Sequence, residues 1–308
     1  MPDIIYGYND HHILGLNYHR GENESKTLTF GTEVEMEAKS YAAAATPFRE
    51  MTQKFYDIAP DKVHCKEDGS LSRGVELITE PCSLQYHMYD MPHKHLFKTA
   101  VKNGYVSNDS SHSGMHVHVG RAQLGETDAD RNIVIRKCIV IVYKYWAKIK
   151  KFTRRLDAEL YWCKKPALTW YRVGMTGDEV RLNARSISTY ISNHQARYTA
   201  VNVTNTNTIE FRIFKGTLDR EIYIANIQLV SNIVRYAQTH TWDEIQASTW
   251  KDVAQFEDYR ELNDYLVKRE LGDHVGNDQL KCKTKRDEVT YQTTDGDIMR
   301  GIDTSSND

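Results

Sequence analysis

The order of apolar and polar residues predicts several β-strands that have one apolar face and one ionisable face. In the segment 27–38 the two kinds of residue alternate, as in a strand whose successive side chains point to opposite sides of a sheet. One side carries three glutamates: Glu33, Glu35 and Glu37. The other side carries Phe30, Val34 and Met36, which we expect to pack on a core. The glutamates then face a cleft or solvent, where neighbouring carboxylates repel one another unless a cation lies between them.

Three more segments repeat this alternation. They are 75–80 with Glu76 and Glu80, 115–120 with His116 and His118, and 208–214 with Glu210 and Arg212. A turn-like connection joins the last of them to a further expected strand at 198–203. A sheet that gathered these groups on one side would desolvate them at a high cost, unless bound ligands offset it. We therefore expect a polar cleft that holds metal ions and an anionic substrate.

A period of 3.6 residues predicts helices at 42–58, 87–101, 127–151, 220–239 and 242–271. Pro92 marks a kink or a boundary in the second helix, and Gly272 ends the last. The basic residues at 148–155 are expected to form a solvated helix end. Strands with helices on one side indicate one domain at 27–275. An irregular lead-in at 1–26 would precede it, and a polar, mobile tail at 276–308 would follow it.

The composition of the 308 residues allows a large core and argues against several classes of protein. The net charge of -2 gives no general attraction to nucleic acid or membranes. The five cysteines have no CxxC spacing, so they indicate neither a disulfide framework nor a zinc knuckle and fit a reducing cytoplasm. No signal-peptide pattern begins the chain, and the most apolar stretch, 133–145, is too short and too charged to span a bilayer. We expect a cytoplasmic protein.

Four segments, in order along 28–236, resemble the amidoligase family. The first, Phe30-Gly31-Thr32-Glu33-Val34-Glu35, is similar to the Gly-x-Glu-x-Glu pattern of the family's first strand. The second and third are 67–81 and 113–120, and the third is also similar to the Gly-x-Gly-Met-His-x-His segment of glutamine synthetases. The fourth combines 197–202 with 208–218. The ordered set of four carries the resemblance.

The resemblance implies the fold of glutamine synthetase and glutamate–cysteine ligase. That fold is α+β, with a curved, mainly antiparallel sheet backed by helices, and it binds ATP and divalent metals on the concave face. The implied metal is Mg²⁺, with Mn²⁺ as the alternative. The implied reaction is the ATP-dependent joining of a carboxylate to an amine through an acyl phosphate, with small molecules or peptides as substrates.

The resemblance also implies roles for individual residues. The metal ligands would be Glu33, Glu35, Glu76 and Glu210, with Glu37 and Glu80 as further candidates. His116 would lie where metal and phosphate meet, and Arg197 and Arg212 would clamp phosphate or the substrate carboxylate. His118 and Lys215 complete the candidates for nucleotide binding.

Two other functions stay open. A metal-dependent hydrolase could use the same glutamates and histidines with an activated water, but it would need no nucleotide, so ATP binding separates the two. A non-catalytic protein could keep the fold as a binding module, although the acidic, histidine and arginine positions are all present. The sequence does not identify the acid, the amine, the base that deprotonates the amine or the oligomeric state. We expect specificity to lie in 155–195 and in the C-terminal helical stretch.

Overall fold

The computed structural model describes residues 5–6, 17–20, 27–39, 46–67, 71, 73–108, 113–166, 197–272, 291–292 and 298–299. The chain forms two compact units, Met1–Asp273 and His274–Asp308. In the second unit the described residues are two short strands, Tyr291–Gln292 and Ile298–Met299, which pair in antiparallel orientation. The tail predicted at 276–308 therefore falls mostly outside the described residues.

A nine-stranded sheet lies at the centre of the first unit, as far as the described residues define it. Its strands are β1 (Ile5–Tyr6), β2 (Thr29–Ala38), β3 (Val63–Lys66), β4 (Gly74–Thr79), β5 (Cys82–Ser83), β6 (Tyr105–Val106), β7 (Gly114–Gly120), β8 (Val201–Asn202) and β9 (Thr208–Lys215). They lie in the order β1-β3-β4-β2-β7-β9-β8, and β5 and β6 both pair with β2. Among these strands only β1 and β3 pair in parallel. The long β2 is therefore flanked by β4 and β7.

Helices occupy much of the remaining described chain. They are α1 (Phe48–Ile58), α2 (Leu84–Tyr89), α3 (His93–Lys102), α4 (Asp128–Lys144), α5 (Trp146–Thr153), α6 (Arg220–Thr239), α7 (Trp242–Ala247), α8 (Trp250–Ala254) and α9 (Arg260–Lys268). Helices combined with a mainly antiparallel sheet confirm the predicted α+β class. None of the described helices has both the length and the apolar character that crossing a membrane would require.

Three of the predicted helices are interrupted. The helix expected at 87–101 is divided into α2 and α3, because Pro92 lacks a backbone donor and lies at the start of α3. The helix expected at 127–151 breaks at Tyr145, whose backbone leaves the helical region (φ -100°, ψ 22°). The stretch at 242–271 divides because Thr241 and Thr249 each begin a new helix with a capping box.

The strands follow the predicted alternation, with three differences. Strand β8 covers only two of the six residues expected at 198–203. Strand β1 lies within the lead-in that we expected to be irregular, where it pairs with β3 at the sheet edge. Strands β3, β5 and β6 were not predicted, because two to four residues are too few for a period of two to stand out.

The apolar face of β2 is buried, and α6 reaches it through Tyr223. Phe30, Val34 and Met36 are each at most 1% exposed, which confirms the predicted core face. From α6, the buried Tyr223 hydroxyl lies 2.7 Å from Thr32 Oγ1. With helices covering one face, the ionisable residues of the sheet are left on the other.

Candidate active site

Strand register brings the ionisable residues of four neighbouring strands together on one face of the sheet. The directly opposed pairs are Glu33–His116, Glu35–Glu76 and His118–Glu210. Opposed residues of antiparallel strands have Cβ atoms about 4.5–5.5 Å apart, so their side chains can interact. Residues that are far apart in the sequence therefore form one continuous polar surface across β4, β2, β7 and β9.

Two groups of metal-binding atoms result, and within each group the atoms lie within 4.8 Å of one another. The first group is Glu33, Glu76 and His116, and the second is Glu33, His118 and Glu210. Glu33 belongs to both, since its Oε2 lies 2.8 Å from His116 Nδ1 and its Oε1 lies 3.2 Å from His118 Nε2. His116 Nδ1 also lies 3.3 Å from Glu210 Oε1. Five predicted site residues are thus in one place.

Glu35 joins these donor groups from the next inward-facing position of β2. Its Oε1 lies 3.8 Å from His116 Nε2, and its Oε2 accepts a hydrogen bond from the backbone N–H of Gly114. The side chain is buried. Because Glu35 also faces Glu76 across the two strands, it lies beside the first donor group, where the resemblance places a metal ligand.

Neighbouring charges shift the pKa values of Glu33, Glu210 and His118. Burial alone would raise the pKa of Glu33, but His118 and His116 hold that pKa well below its usual range. Burial would also raise the pKa of Glu210, and Arg212 with the two histidines lowers it. For His118 burial lowers the pKa, but Glu33 and Glu210 raise it above the usual value. A metal ion that binds to His118 must displace the proton from its imidazole, so the affinity for the metal should rise with pH.

The donor set fits a hard divalent cation. Each group offers two carboxylates and one imidazole, and carboxylate oxygens are the ligands that Mg²⁺ and Mn²⁺ favour. Carboxylates on adjacent strands repel one another when no cation lies between them. Magnesium also keeps several positions for water and phosphate oxygens, so an incomplete protein ligand set is what a phosphate-handling site needs.

A β-bulge in β9 shapes the cationic side of the site. The pairs on either side of the bulge are Val117–Phe211 and Met115–Phe214. Three steps along β9 therefore match two steps along β7, and the extra residue shifts the alternation. As a result Lys215 lies opposite Gly114, on the same face as His116. Without the bulge, alternation would turn Lys215 away from Glu210 and Arg212.

Two cations of β9 lie beside the carboxylates. Arg212 forms an ion pair with Glu210, and although burial lowers its pKa, Glu210 and two further carboxylates raise it. Arg212 Nε is buried and has no hydrogen-bond partner among the described atoms. Lys215 Nζ lies 2.9 Å from Glu159 Oε1. On the polar face, β4 and β2 thus contribute Glu76, Glu33 and Glu35, whereas β9 contributes Glu210 together with the cations Arg212 and Lys215.

Two residues that the sequence did not single out also reach the site. Asn202 of β8 donates from Nδ2 to Glu210 Oε2 at 2.8 Å, which orients that carboxylate. Arg155 is only 9% exposed and donates to the Phe214 carbonyl oxygen at 3.0 Å. Its assignment to a solvated helix end was therefore wrong. Asn202 belongs to the fourth segment of the family resemblance, which could have pointed to it, whereas no local pattern marks Arg155.

Comparison with known proteins agrees with this chemistry. Residues 21–234, which include strands β2 to β9, match the family described as "Putative amidoligase enzyme". The chain belongs to the amidoligase family. The description of that family names amide-bond ligation as its reaction class. Membership favours this reaction over the hydrolase and the non-catalytic binding module that the sequence left open.

This amidoligase also matches a solved structure of the complex between Prokaryotic Ubiquitin-like Protein Pup and its ligase PafA. The sequence identity is 11% and the TM-score is 0.38. The match covers 89% of this chain and 54% of that chain, so the amidoligase spans about half the length of that protein. No curated protein sequence matches the chain.

Six predicted site residues of the amidoligase lie outside both donor groups; Glu35, Arg212 and Lys215 have been described above, and three others remain. Glu37 lies nearer the end of β2, opposite Gly74. Glu80 is 1% exposed, and its Oε1 lies 3.6 Å from His64 Nδ1. Arg197 is exposed and precedes β8, next to a segment outside the described residues. The structure brings none of the three into the donor groups, and their roles stay predictions.

Proposed function

We propose that this amidoligase is an ATP-dependent carboxylate–amine ligase that activates its acid substrate as an acyl phosphate. The observation that supports the proposal most is that one sheet face holds two groups of metal-binding atoms with cations directly beside them. Glu33 links the two donor groups, and Arg212 lies beside the second through its ion pair with Glu210. Metal ions would bind the donor groups, and oxyanions would bind between the metals and the cations of β9.

The chemistry of amide formation requires such an arrangement. A carboxylate is a poor electrophile, and transfer of the γ-phosphoryl group of ATP to it gives an acyl phosphate with a good leaving group. An amine then attacks the carbonyl carbon and expels phosphate. The phosphoryl group in transfer carries negative charge on its oxygens, and positive groups fixed around it stabilise the transition state. Bound divalent ions would supply part of that charge.

The residues of this chain would divide the remaining work. Glu33, Glu35, Glu76, His116 and Glu210 would hold the metal ions. Arg212 would contact an oxyanion of the nucleotide or of the acid, because a guanidinium presents two parallel donors. The sequence adds His118 and Lys215 as candidate phosphate contacts, and the family resemblance adds Arg197 as a second clamp.

We place the enzyme in the cytoplasm, with small molecules or peptides as its acid and amine. The four cysteines of the described part of the chain are free and buried, as is usual in a reducing compartment. Neither a membrane nor a nucleic acid is needed as a partner. The net charge of -2 gives no general attraction to either.

The proposal is tested by ADP release from purified protein with ATP and Mg²⁺. A screen of amino acids, polyamines and short peptides should find an acid and an amine that together give ADP and phosphate in step with amide formation. Transfer of ¹⁸O from the labelled acid to the released phosphate would identify the acyl phosphate. If ADP release occurs without oxygen transfer, the acyl-phosphate mechanism is wrong.

Two variants connect this activity to the site. Glu33→Gln and Glu210→Gln should each abolish turnover while the protein stays folded, because each removes a charged ligand. Glu50→Gln is the matched control, since Glu50 is exposed on α1 and pairs only with Lys54 among the described residues. Wild-type rates in either site variant would show that the metal assignment is wrong.

A further inference from the structure

Arg155 reaches the active site because the chain changes direction after α5. The helix ends at Thr153, and Arg154 adopts the left-handed conformation (φ 63°, ψ 13°). A non-glycine residue rarely takes this conformation, which here turns the next residue back toward the sheet. Arg155 is 9% exposed, unlike the solvated lysines of the helix before it.

The guanidinium of Arg155 makes few contacts for a buried cation. Its Nη2 donates to the carbonyl oxygen of Phe214, beside the bulge of β9. Its Nε is buried and has no hydrogen-bond partner among the described atoms. A guanidinium carries five N–H donors, and burying them unsatisfied is costly. The described residues give it no ion pair, so the arrangement favours an anion that comes from outside the chain.

Gly114 shows how close this guanidinium lies to the metal-binding atoms. A Cβ atom on Gly114 would lie 2.6 Å from Arg155 Nη2, 3.3 Å from Glu35 Oε2 and 3.3 Å from His116 Nε2. The missing side chain therefore leaves one small space that is bordered by a cation, a carboxylate and an imidazole.

We propose that Arg155 binds an oxyanion at the edge of the metal site, either a phosphoryl group or the carboxylate of the acid substrate. This inference rests on the function proposed above. An oxyanion shared between a metal ion and Arg155 would satisfy the free donors of the guanidinium, and it would complete the coordination that the glutamates leave open. The planar fork of arginine suits both anions equally, so geometry alone does not choose between them.

The test measures the binding of Mn²⁺, inorganic phosphate and succinate to the full chain by calorimetry and thermal melting. The variants are Arg155→Gln, which removes the charge, and Arg155→Lys, which keeps the charge but lacks the planar pair of N–H donors of a guanidinium. Arg154→Gln is the control, because it makes the same change of charge one residue away. Phosphate and succinate are titrated separately in the presence of saturating Mn²⁺.

We expect Arg155→Gln to weaken the binding of phosphate, or of succinate, by about tenfold, which corresponds to about 1.4 kcal/mol. Arg155→Lys should weaken it by about threefold, and Arg154→Gln should leave it unchanged. Mn²⁺ should bind to Arg155→Gln as tightly as to the wild type or more tightly, since a neighbouring cation has been removed. A purely structural arginine would instead weaken Mn²⁺ binding along with the rest.

The anion that is affected identifies the source of the oxyanion. Loss confined to phosphate assigns Arg155 to the phosphoryl group, and loss confined to succinate assigns it to the acid substrate. Equal affinity of Arg155→Gln and wild type for both anions, with Mn²⁺ binding retained, overturns this inference and leaves the proposed function standing. If Arg155→Gln does not fold, unchanged anion affinities in Arg155→Lys overturn it. Absence of Mn²⁺ binding in the wild type overturns both proposals.

Discussion

Glu33 is the residue on which both donor groups depend. Its two carboxylate oxygens face different histidines, so one side chain joins the metal-binding atoms of β4 and β7 to those of β9. It shares β2 with Glu35, while Glu37 lies further along the same strand and outside both groups. Of the three glutamates that alternate along β2, Glu33 is therefore expected to matter most for metal binding, because it belongs to both donor groups.

Replacing Glu33 with Gln should weaken Mn²⁺ binding by well over tenfold, because it removes a charged ligand from both groups. The same change at Glu37 should alter the affinity by less than about threefold, since only long-range charge is lost. Titration calorimetry on both variants measures the difference. Equal losses at the two positions would mean that general negative charge, and not the donor geometry, binds the ion.

A buried hydroxyl holds β2 in place from the opposite face. The Tyr223 hydroxyl lies 2.7 Å from Oγ1 of Thr32, which lies on the same face of β2 as Phe30 and Val34. Tyr223→Phe should lower the free energy of unfolding by about 1–2 kcal/mol, because it leaves a buried hydroxyl with one partner fewer. Urea denaturation measures this. Tyr89→Phe is the control, since Tyr89 is 55% exposed and should change stability by less than about 0.5 kcal/mol.

Residue types and alternation were enough to predict which ionisable side chains share one face of the sheet, while their roles as ligands are implied by the family resemblance and stay predictions. Glu33, Glu35, Glu76, His116 and Glu210 could be chosen because charged residues repeat with a period of two beside apolar ones. Arg155 could not be chosen, since its position depends on a left-handed residue after α5 and on a contact with a distant carbonyl group. Such contacts are a property of the fold and leave no periodic signal in the chain.

At the scale of elements, a pair of buried histidines joins α2 and α3 to β2. His87 Nε2 lies 2.8 Å from the Phe30 carbonyl oxygen, which can only accept, so Nε2 carries the proton. His87 Nδ1 then accepts a hydrogen bond from His93 Nε2 at 3.1 Å, and both rings are neutral. Burial lowers the pKa of His87 to about 4 and lowers that of His93 well below its usual value.

This pair should make the protein less stable in acid. In the unfolded chain a histidine has a pKa near 6.5, so between about pH 6.5 and 4 the unfolded state binds protons that the folded state does not. The free energy of unfolding therefore falls as the pH is lowered through this range, by up to about 1.4 kcal/mol per pH unit for each histidine. Chemical denaturation without metal, at several pH values, measures the slope.

The comparison variant is His87→Gln, whose amide can still donate to the Phe30 carbonyl. It should show a smaller loss of stability between pH 7 and 5 than the wild type. His95→Gln, at an exposed position of α3, should keep the wild-type slope. An unchanged slope in His87→Gln would mean that other groups cause the acid sensitivity.

The elements also show where prediction from sequence stops. The bulge of β9 reverses which face Lys215 occupies, and a strict period of two would have placed that residue on the apolar side. Breaks within long helical patterns were foreseen at Pro92 but not at Tyr145, which has no breaking residue type. Bulges and helix breaks of this kind are decided by packing between elements.

At the scale of the whole molecule, the two faces of the sheet depend on different interactions. The apolar face is covered by helices, whereas the buried carboxylates of the polar face depend on positive partners, since the histidines and Arg212 lower the pKa values of Glu33 and Glu210. The four family segments predicted which strands meet but not their order in the sheet, because pairing between distant strands leaves no mark on local periodicity. Strands β1 and β3 extend the sheet beyond those segments.

A bound cation should therefore stabilise the entire fold. At a Mn²⁺ concentration of about one hundred times the dissociation constant, the free energy of unfolding should rise by about 2.7 kcal/mol. Thermal melting with and without Mn²⁺ measures the effect, and Glu33→Gln should abolish most of it. A shift of the same size in Glu33→Gln would place the stabilising ion elsewhere.

The most direct measurement of the central claim is anomalous diffraction from crystals grown with Mn²⁺ and a non-hydrolysable ATP analogue. The account predicts at least one manganese peak within about 2.5 Å of the carboxylate of Glu33, with His116 or Glu210 in the same coordination sphere. It also predicts that the nucleotide phosphates touch that ion. Manganese bound only elsewhere on the protein, with Glu33 and its histidines still paired to each other, would contradict the account.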